Sequence, residues 1–228
     1  MKRWVINPSY FTDDDILREY EILKKGFDPT LFGNFSWEYH YRLLIVCAEI
    51  KLRGLIKDID LPSDSINNII NNENRYSESY ILDSYKQYDE LRDRYLDSNN
   101  YRISPPSNIR ELWVNHKYSI MARNIPLYKE IGRFVAQNRG EEYFSKLHST
   151  LTKELRKKPK RNGILNALQH MWGYISNTSS IRGRGISSLD LHSFLIEIQN
   201  CVKVSNQDYL YKQLALSELE IWILAYND

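Results

Sequence analysis

The chain has 228 residues and a formal net charge of +2, which suits one large helical body or two small ones packed together. The longest apolar run, Leu43 to Ala48, is far below the roughly 20 residues of a membrane span, and the N-terminal segment lacks the features of a signal peptide, so we expect a cytoplasmic protein. Cys47 and Cys201 have no partner at metal-ligand spacing, which excludes a paired-cysteine metal site and predicts two buried thiols.

Apolar residues recur with helical spacing in the first half of the chain, and helix start and stop signals stand at matching positions. Thr12, followed by Asp15, predicts the N-cap of a first helix, and Gly26 predicts its end. Further helices are predicted over 36–54, 62–72 and 76–96.

The segment 97–108 concentrates turn formers and paired prolines, so it marks the predicted boundary between a region 1–100 and a region 108–228. Ser107 predicts the cap of a helix through Ala122, and Pro126 suits the first turn of the next helix, which Gly140 ends. The remaining helices are predicted over 141–158, 163–176, 189–202 and 207–226. These patterns predict an all-α protein, a compact helical bundle of roughly eight to ten helices in two packed halves.

Charge is divided unevenly between the halves. Residues 1–105 carry about 14 basic and 18 acidic side chains, whereas residues 106–228 carry about 17 and 11. A net positive C-terminal half indicates a polyanionic partner. The run from Lys153 to Arg161 and the Gly-rich loop with Arg182 and Arg184 are typical of phosphate-backbone contacts. The alternative is a solvated basic helix end that compensates the helix dipole.

A dense motif in the C-terminal half resembles the YbgA-like domain, a largely uncharacterised family. It comprises Trp113, His116, Lys117, Met121, Ala122, Tyr128, Gly132, Asn166, Leu168, His170, Gly173 and Tyr174. Arg123 stands where the family pattern has histidine. In some members this domain is joined to a desulfidase acting on thiolated uridine in tRNA, so the resemblance implies nucleic-acid binding.

Helical spacing places Trp113, His116 and Lys117 at the border of one predicted cleft. Asn166, Gln169 and His170 cover adjacent turns of one helix and suit polar contacts to a base or sugar. The alternatives are that the histidines are buried hydrogen-bonding residues and that the tryptophans belong to the core. The complete predicted nucleic-acid site is Arg3, Trp113, His116, Lys117, Arg123, Lys157, Lys158, Lys160, Arg161, Asn166, Gln169, His170, Arg182 and Arg184.

The segment from Met1 to Leu23 resembles the opening of pyrimidine-dimer DNA glycosylases of the endonuclease V type. The residues that carry this resemblance are Trp4, Asn7, Pro8 and Tyr10, with Arg53 and Gly54 further on. The resemblance implies attack by an N-terminal amine assisted by a helix glutamate. An ungapped match places Ile22 at that glutamate's position, so Glu21 is the catalytic candidate only in a shifted register. Otherwise Glu19 and Glu21 are expected to be ordinary charged residues on an exposed helix face.

Three hypotheses follow from these patterns. The favoured one is a nucleic-acid-binding protein, in DNA repair or RNA processing, whose basic C-terminal half contacts the phosphate backbone. The first alternative is an active glycosylase and lyase that uses Glu21 and an N-terminal amine. The second is a non-catalytic protein-interaction module, which the 17 tyrosines favour. We expect no cofactor, no metal and no membrane contact, and a partner that is DNA or RNA or, in the last case, a protein.

Overall fold

The computed structural model describes residues 4–32, 36–71, 79–95, 100–140, 142–177 and 189–226. All regular secondary structure in these ranges is helical, which confirms the predicted all-α bundle. A 3-10 turn at Pro8–Tyr10 precedes the α-helices. These are α1 (Asp13–Leu23), α2 (Pro29–Phe32), α3 (Ser36–Arg53), α4 (Ser63–Asn71), α5 (Ser79–Arg94), α6 (Ile109–Arg123), α7 (Ile125–Gln137), α8 (Glu142–Leu155), α9 (Arg161–Ile175), α10 (Leu191–Ser205), α11 (Asp208–Tyr211) and α12 (Ala215–Leu224).

Local capping chemistry sets the bounds of α1, as predicted. The hydroxyl of Thr12 accepts a hydrogen bond from the backbone N–H of Asp15 at 3.3 Å, and Gly26 follows the helix with a φ of +111°. Glycine adopts this left-handed backbone conformation without the steric cost that other residues meet.

The predicted cap of α6 was one residue early. Asn108, rather than Ser107, is the N-cap, because its side-chain oxygen accepts hydrogen bonds from the N–H groups of Arg110 and Glu111, each at 3.0 Å. The Ser107 hydroxyl instead donates to the Glu111 carboxylate at 3.0 Å.

The single helix predicted over 207–226 is wrong, because the chain breaks between α11 and α12. The carbonyl of Gln213 at the break accepts a hydrogen bond from Arg102 at 3.0 Å, and the carbonyl of Tyr211 accepts another from the same guanidinium. The N–H of Leu214 donates to the carbonyl of Asn115 on α6 at 3.0 Å. Tertiary partners thus satisfy the backbone groups that the break leaves outside a helix.

Two central helices organise the core. Helix α3 is buried along most of its length and packs against α1, α4 and α12. Helix α6 packs against α7, α8 and α9, and α12 also contacts it. Both cysteines are free and buried, as predicted. Among the described residues, no helix combines the length and apolar character needed to cross a membrane.

Buried arginine–carboxylate pairs link distant parts of the chain. Arg42 donates two hydrogen bonds to the Glu19 carboxylate, at 2.7 and 2.6 Å. The prediction of an exposed Glu19 is therefore wrong, because this residue is only 5 % exposed. Glu49 lies between Arg102 and Arg53. Burial alone would raise the pKa of Glu49, but the two guanidinium groups hold it well below its usual range. Removing one member of such a pair leaves an uncompensated buried charge.

Candidate nucleic-acid interface

The turn between α8 and α9 forms an exposed basic corner, which we call the α8–α9 corner and define as Lys153, Lys157, Lys160 and Arg161. All four are exposed. Lys157 forms an ion pair with Glu154 at 2.7 Å, whereas the other three form no ion pair with a described residue. Their charge is therefore available to an anionic ligand.

The beginning of α9 adds to the positive potential of this corner. Lys160 is the N-cap, but it makes no side-chain capping hydrogen bond, and the first turn contains no acidic residue. The positive end of the helix dipole therefore coincides with two basic side chains, an arrangement suited to phosphate. Gly163 fixes the position of this turn, because a Cβ there would overlap the carbonyl oxygen of Ala122 at the end of α6.

A polar stripe runs along α9 away from the corner. The stripe consists of Asn162, Asn166, Gln169, His170 and Gly173, which share one helix face at spacings of three or four residues. Asn166 is partly buried and the other four are exposed. Gly173 adds open surface, because a Cβ there would have no neighbour within 4 Å. The structure thus brings together the three polar residues predicted for base or sugar contacts.

Lys117 lies among tyrosines that lead to Tyr174 near the end of α9. Its Nζ is 4.6 Å from the ring centroid of Tyr118 and 4.7 Å from that of Tyr209. Burial lowers the pKa of the Lys117 amine. The ring of Tyr209 in turn packs against that of Tyr174, with centroids 5.2 Å apart. Within the described part of the chain, this lysine therefore borders an aromatic cluster rather than a carboxylate.

Trp113 and His116 lie in the core, so they do not form an open cleft with Lys117. Trp113 is 8 % exposed and packs against the ring of Tyr128. His116 is 4 % exposed, and its Nδ1 is 2.7 Å from the carbonyl oxygen of Leu112. This distance assigns the proton to Nδ1 as the donor. Burial lowers the pKa of His116 to about 4.

Arg123, another predicted contact, is also engaged within the fold. Its side chain is 1 % exposed and pairs with Glu218 at 2.5 Å. It also donates to the backbone carbonyls of Ser119, Leu155 and Lys157. With its donors directed at these groups, Arg123 joins α6, α12 and the end of α8.

The predicted basic run is thus divided by the fold. Arg156, inside this run, is buried and pairs with Glu38 on α3 at 2.6 Å. Lys158 is partly buried, with its Nζ 4.9 Å from the ring centroid of Tyr226. Arg3, Arg182 and Arg184 lie outside the described residues.

The catalytic candidate Glu21 is exposed and forms an ion pair with Lys24 at 2.6 Å. Neighbouring Ile22 is half-buried. The N-terminal amine of Met1 lies outside the described residues, so the structure does not place it relative to Glu21.

A small cavity of about 50 Å³ lies between the N-terminal segment and helices α3, α5, α6 and α8. His148, which sequence reasoning missed, lines it together with His116. Burial lowers the pKa of His148 to about 3, with a further contribution from nearby His116. Two neutral imidazoles in a space suited to a few water molecules give a polar core feature. Among the described residues, no group of three His, Cys, Asp or Glu side chains is placed to hold a metal ion.

Sequence reasoning also missed exposed cations around α7. Lys129 and Arg133 are exposed at i, i+4 spacing on this helix. Arg110 and Arg139 line a surface cleft of about 230 Å³ where the start of α6 meets the end of α7. None of these four forms an ion pair with a described residue. The sequence did contain a signal for these cations: Lys129 and Arg133 are four residues apart on a helix with only one acidic residue, which indicates an exposed basic face.

Comparison with known proteins gives a match in one segment of the chain. Searches of curated proteins and of solved structures found no match. Residues 117–184 match a family model described as a protein of unknown function (DUF1722). This segment includes Lys117 and runs through α7, α8 and α9. The match confirms the resemblance predicted from the motif: residues 117–184 are similar to the DUF1722 family, which is the family of YbgA-like domains.

Proposed function

We propose that this protein binds nucleic acid and that the α8–α9 corner contacts the phosphate backbone. The observation that carries the proposal is the contrast between two sets of cations. Arg123 and Arg156 are buried against carboxylates, whereas Lys160 and Arg161 are exposed at the open N-terminus of α9. Charges of the first kind hold the fold together, and those of the second kind remain available to phosphate.

The stripe on α9 supports a nucleic-acid ligand rather than a simple anion. Asn and Gln side chains each offer a donor and an acceptor, so they suit sugar and base edges beside a bound backbone. The stripe residues Asn166, Gln169 and His170 start about one helical turn from the corner. One nucleic-acid strand can therefore contact both the corner and the stripe.

The test is a binding titration of labelled duplex DNA, single-stranded DNA and structured RNA at about 50 and about 200 mM salt. We expect affinity to fall steeply with salt for at least one ligand. The double variant Lys160→Glu, Arg161→Glu should weaken binding at low salt by at least about tenfold and lower the salt slope by about two, since two phosphate contacts are lost.

The matched control is Lys25→Glu, Lys57→Glu. It makes the same charge change at two exposed lysines of the N-terminal half. If both double variants lose the same affinity, the loss comes from the change in net charge, and the assignment of the α8–α9 corner as the phosphate contact is overturned. Binding of none of the ligands by the wild-type protein would overturn the proposed function. Borohydride in a parallel set tests the glycosylase alternative, since a trapped adduct on irradiated DNA would establish an enzyme.

A further inference from the structure

Tyr174 exposes an unusual amount of ring surface. This residue is 53 % exposed, in a protein whose large apolar residues are mostly buried. It lies near the C-terminal end of α9, directly after Gly173 in the polar stripe. This ring has an accessible surface next to groups that form hydrogen bonds.

The neighbours of Tyr174 hold its ring in place. Tyr209 packs against it at a centroid distance of 5.2 Å. Burial raises the pKa of the Tyr118 hydroxyl, with a further contribution from nearby Tyr174. The contact with Tyr209 restricts the rotamers of Tyr174 before a ligand binds, which lowers the entropy cost of stacking on this ring.

The Tyr174 ring has a cationic and a polar side chain near it. The Lys117 amine, 4.7 Å from the Tyr209 ring centroid, provides a cation with no carboxylate partner among the described residues. His170 stands one helical turn before Tyr174 and is exposed. A nucleotide offers the complementary set: a flat base for the ring, polar base edges for the imidazole and a phosphate for the amine.

We propose that Tyr174 stacks on an unpaired nucleobase, so that the preferred ligand of the interface is single-stranded nucleic acid or an unpaired loop. Bases inside a duplex are covered on both faces by their neighbours, whereas an unpaired base has a face free for an aromatic ring. The backbone of the same strand continues along the α9 stripe toward the α8–α9 corner. This inference rests on the proposed function and specifies its ligand.

The experiment compares single-stranded DNA, single-stranded RNA and duplex DNA of equal length, each carrying one fluorescent adenine analogue whose emission is quenched by stacking. Tyr174→Ala should weaken single-strand binding by about tenfold and remove the quenching, because one base–aromatic stack is lost. Duplex binding should stay within about twofold of wild type. Tyr174→Phe keeps the ring and should retain affinity and quenching.

Two further variants separate stacking from folding and from general hydrophobicity. Tyr174→Leu keeps an apolar side chain against Tyr209 but removes the π face, so it should behave like the alanine variant in binding while its melting temperature stays near that of wild type. Phe27→Ala removes another exposed ring, 41 % accessible, from the N-terminal half and should leave binding unchanged.

The outcomes are distinct for the two proposals. Wild-type protein that binds no nucleic acid overturns both. Salt-sensitive binding that depends on Lys160 and Arg161 but not on Tyr174 overturns only the stacking inference, as does an equal loss on duplex and single strands. A tenfold loss on both single strands supports a base platform for either polymer. A loss confined to RNA supports the same platform with an added contact to the ribose hydroxyl.

Discussion

Gly163 lies against the carbonyl of Ala122, with no room for a Cβ between the first turn of α9 and the end of α6. This close approach sets the position of the α8–α9 corner relative to the arginine network around Arg123. Helix packing and the placement of the proposed phosphate site therefore depend on the same glycine.

Gly163→Ala should destabilise the protein by about 1–3 kcal/mol, because the new methyl group must displace backbone atoms rather than a flexible side chain. Urea unfolding followed by circular dichroism measures the change. Gly173→Ala is the matched control within the same helix. Its Cβ meets open space, so alanine should stabilise α9 by about 0.5–1 kcal/mol. Equal stability of the two variants would contradict the close contact.

Arg123→Met should cost about 3–5 kcal/mol of stability, since it leaves the Glu218 carboxylate buried without its counter-charge. Glu218 also accepts a hydrogen bond from the indole of Trp222 at 2.6 Å, so near-ultraviolet circular dichroism should change as well. At a temperature where the variant is folded, its affinity for nucleic acid should equal that of wild type. A binding loss as large as that of the Lys160 and Arg161 variant would mean that Arg123 contacts the ligand.

Stability should fall in mild acid because of His116 and His148. Both imidazoles have pKa values lowered from 6.5, to about 4 and about 3 respectively. Well above about pH 6.5 neither the folded nor the unfolded chain holds these protons, so the full stability is present. As pH falls from about 6.5 to about 4, the unfolded chain binds protons that the folded protein excludes. The loss from His116 alone is roughly 3 kcal/mol at about 1.4 kcal/mol per pKa unit.

Urea unfolding at a series of pH values between about 7 and about 4 measures this loss. His148→Phe removes one titrating group. The slope of the free energy of unfolding against pH should therefore fall by the amount that corresponds to about one bound proton. A wild-type stability that is constant across this range would show that the two imidazoles are accessible to protons in the folded state.

Arg110→Glu, Arg139→Glu tests whether the ligand extends to the cleft at the far end of α7. If the bound strand follows α7, affinity should fall by about tenfold and the salt slope should decrease by about two. Lys129→Glu, Arg133→Glu on the exposed face between the two ends should have a similar effect. If neither double variant loses affinity, the contacts with the phosphate backbone are confined to α8 and α9.

Much of the fold was predictable because helix ends depend on nearby residues. Thr12 caps α1 through its own hydroxyl, and the stripe on α9 follows from spacing alone. The break between α11 and α12 depends instead on Arg102, about a hundred residues away in the chain. No local pattern in 207–226 contains that information, so the periodicity predicted an unbroken helix.

The candidate site shows the same limit. A run of basic residues predicts a charged surface, but only packing decides that Arg156 turns inward to Glu38 while Lys160 and Arg161 stay in solvent. Glu19 was misjudged for the same reason, since its burial depends on Arg42 in α3. Charge in the sequence indicated a polyanionic partner, whereas the assignment of individual cations required their tertiary partners.

The position of Arg102 has a consequence for how the chain folds. Its guanidinium joins Glu49 in α3 to the break before α12, with hydrogen bonds to Glu49 of 2.5 and 2.9 Å. The hydrogen bonds of this guanidinium are complete only when segments from the beginning, middle and end of the chain have met. Contacts of such high sequence separation form slowly, because the loop-closure entropy is lost before the contacts are gained. A fragment ending before α11 would therefore retain a charged core with its last partners missing, and would populate expanded, aggregation-prone states in place of a smaller native fold.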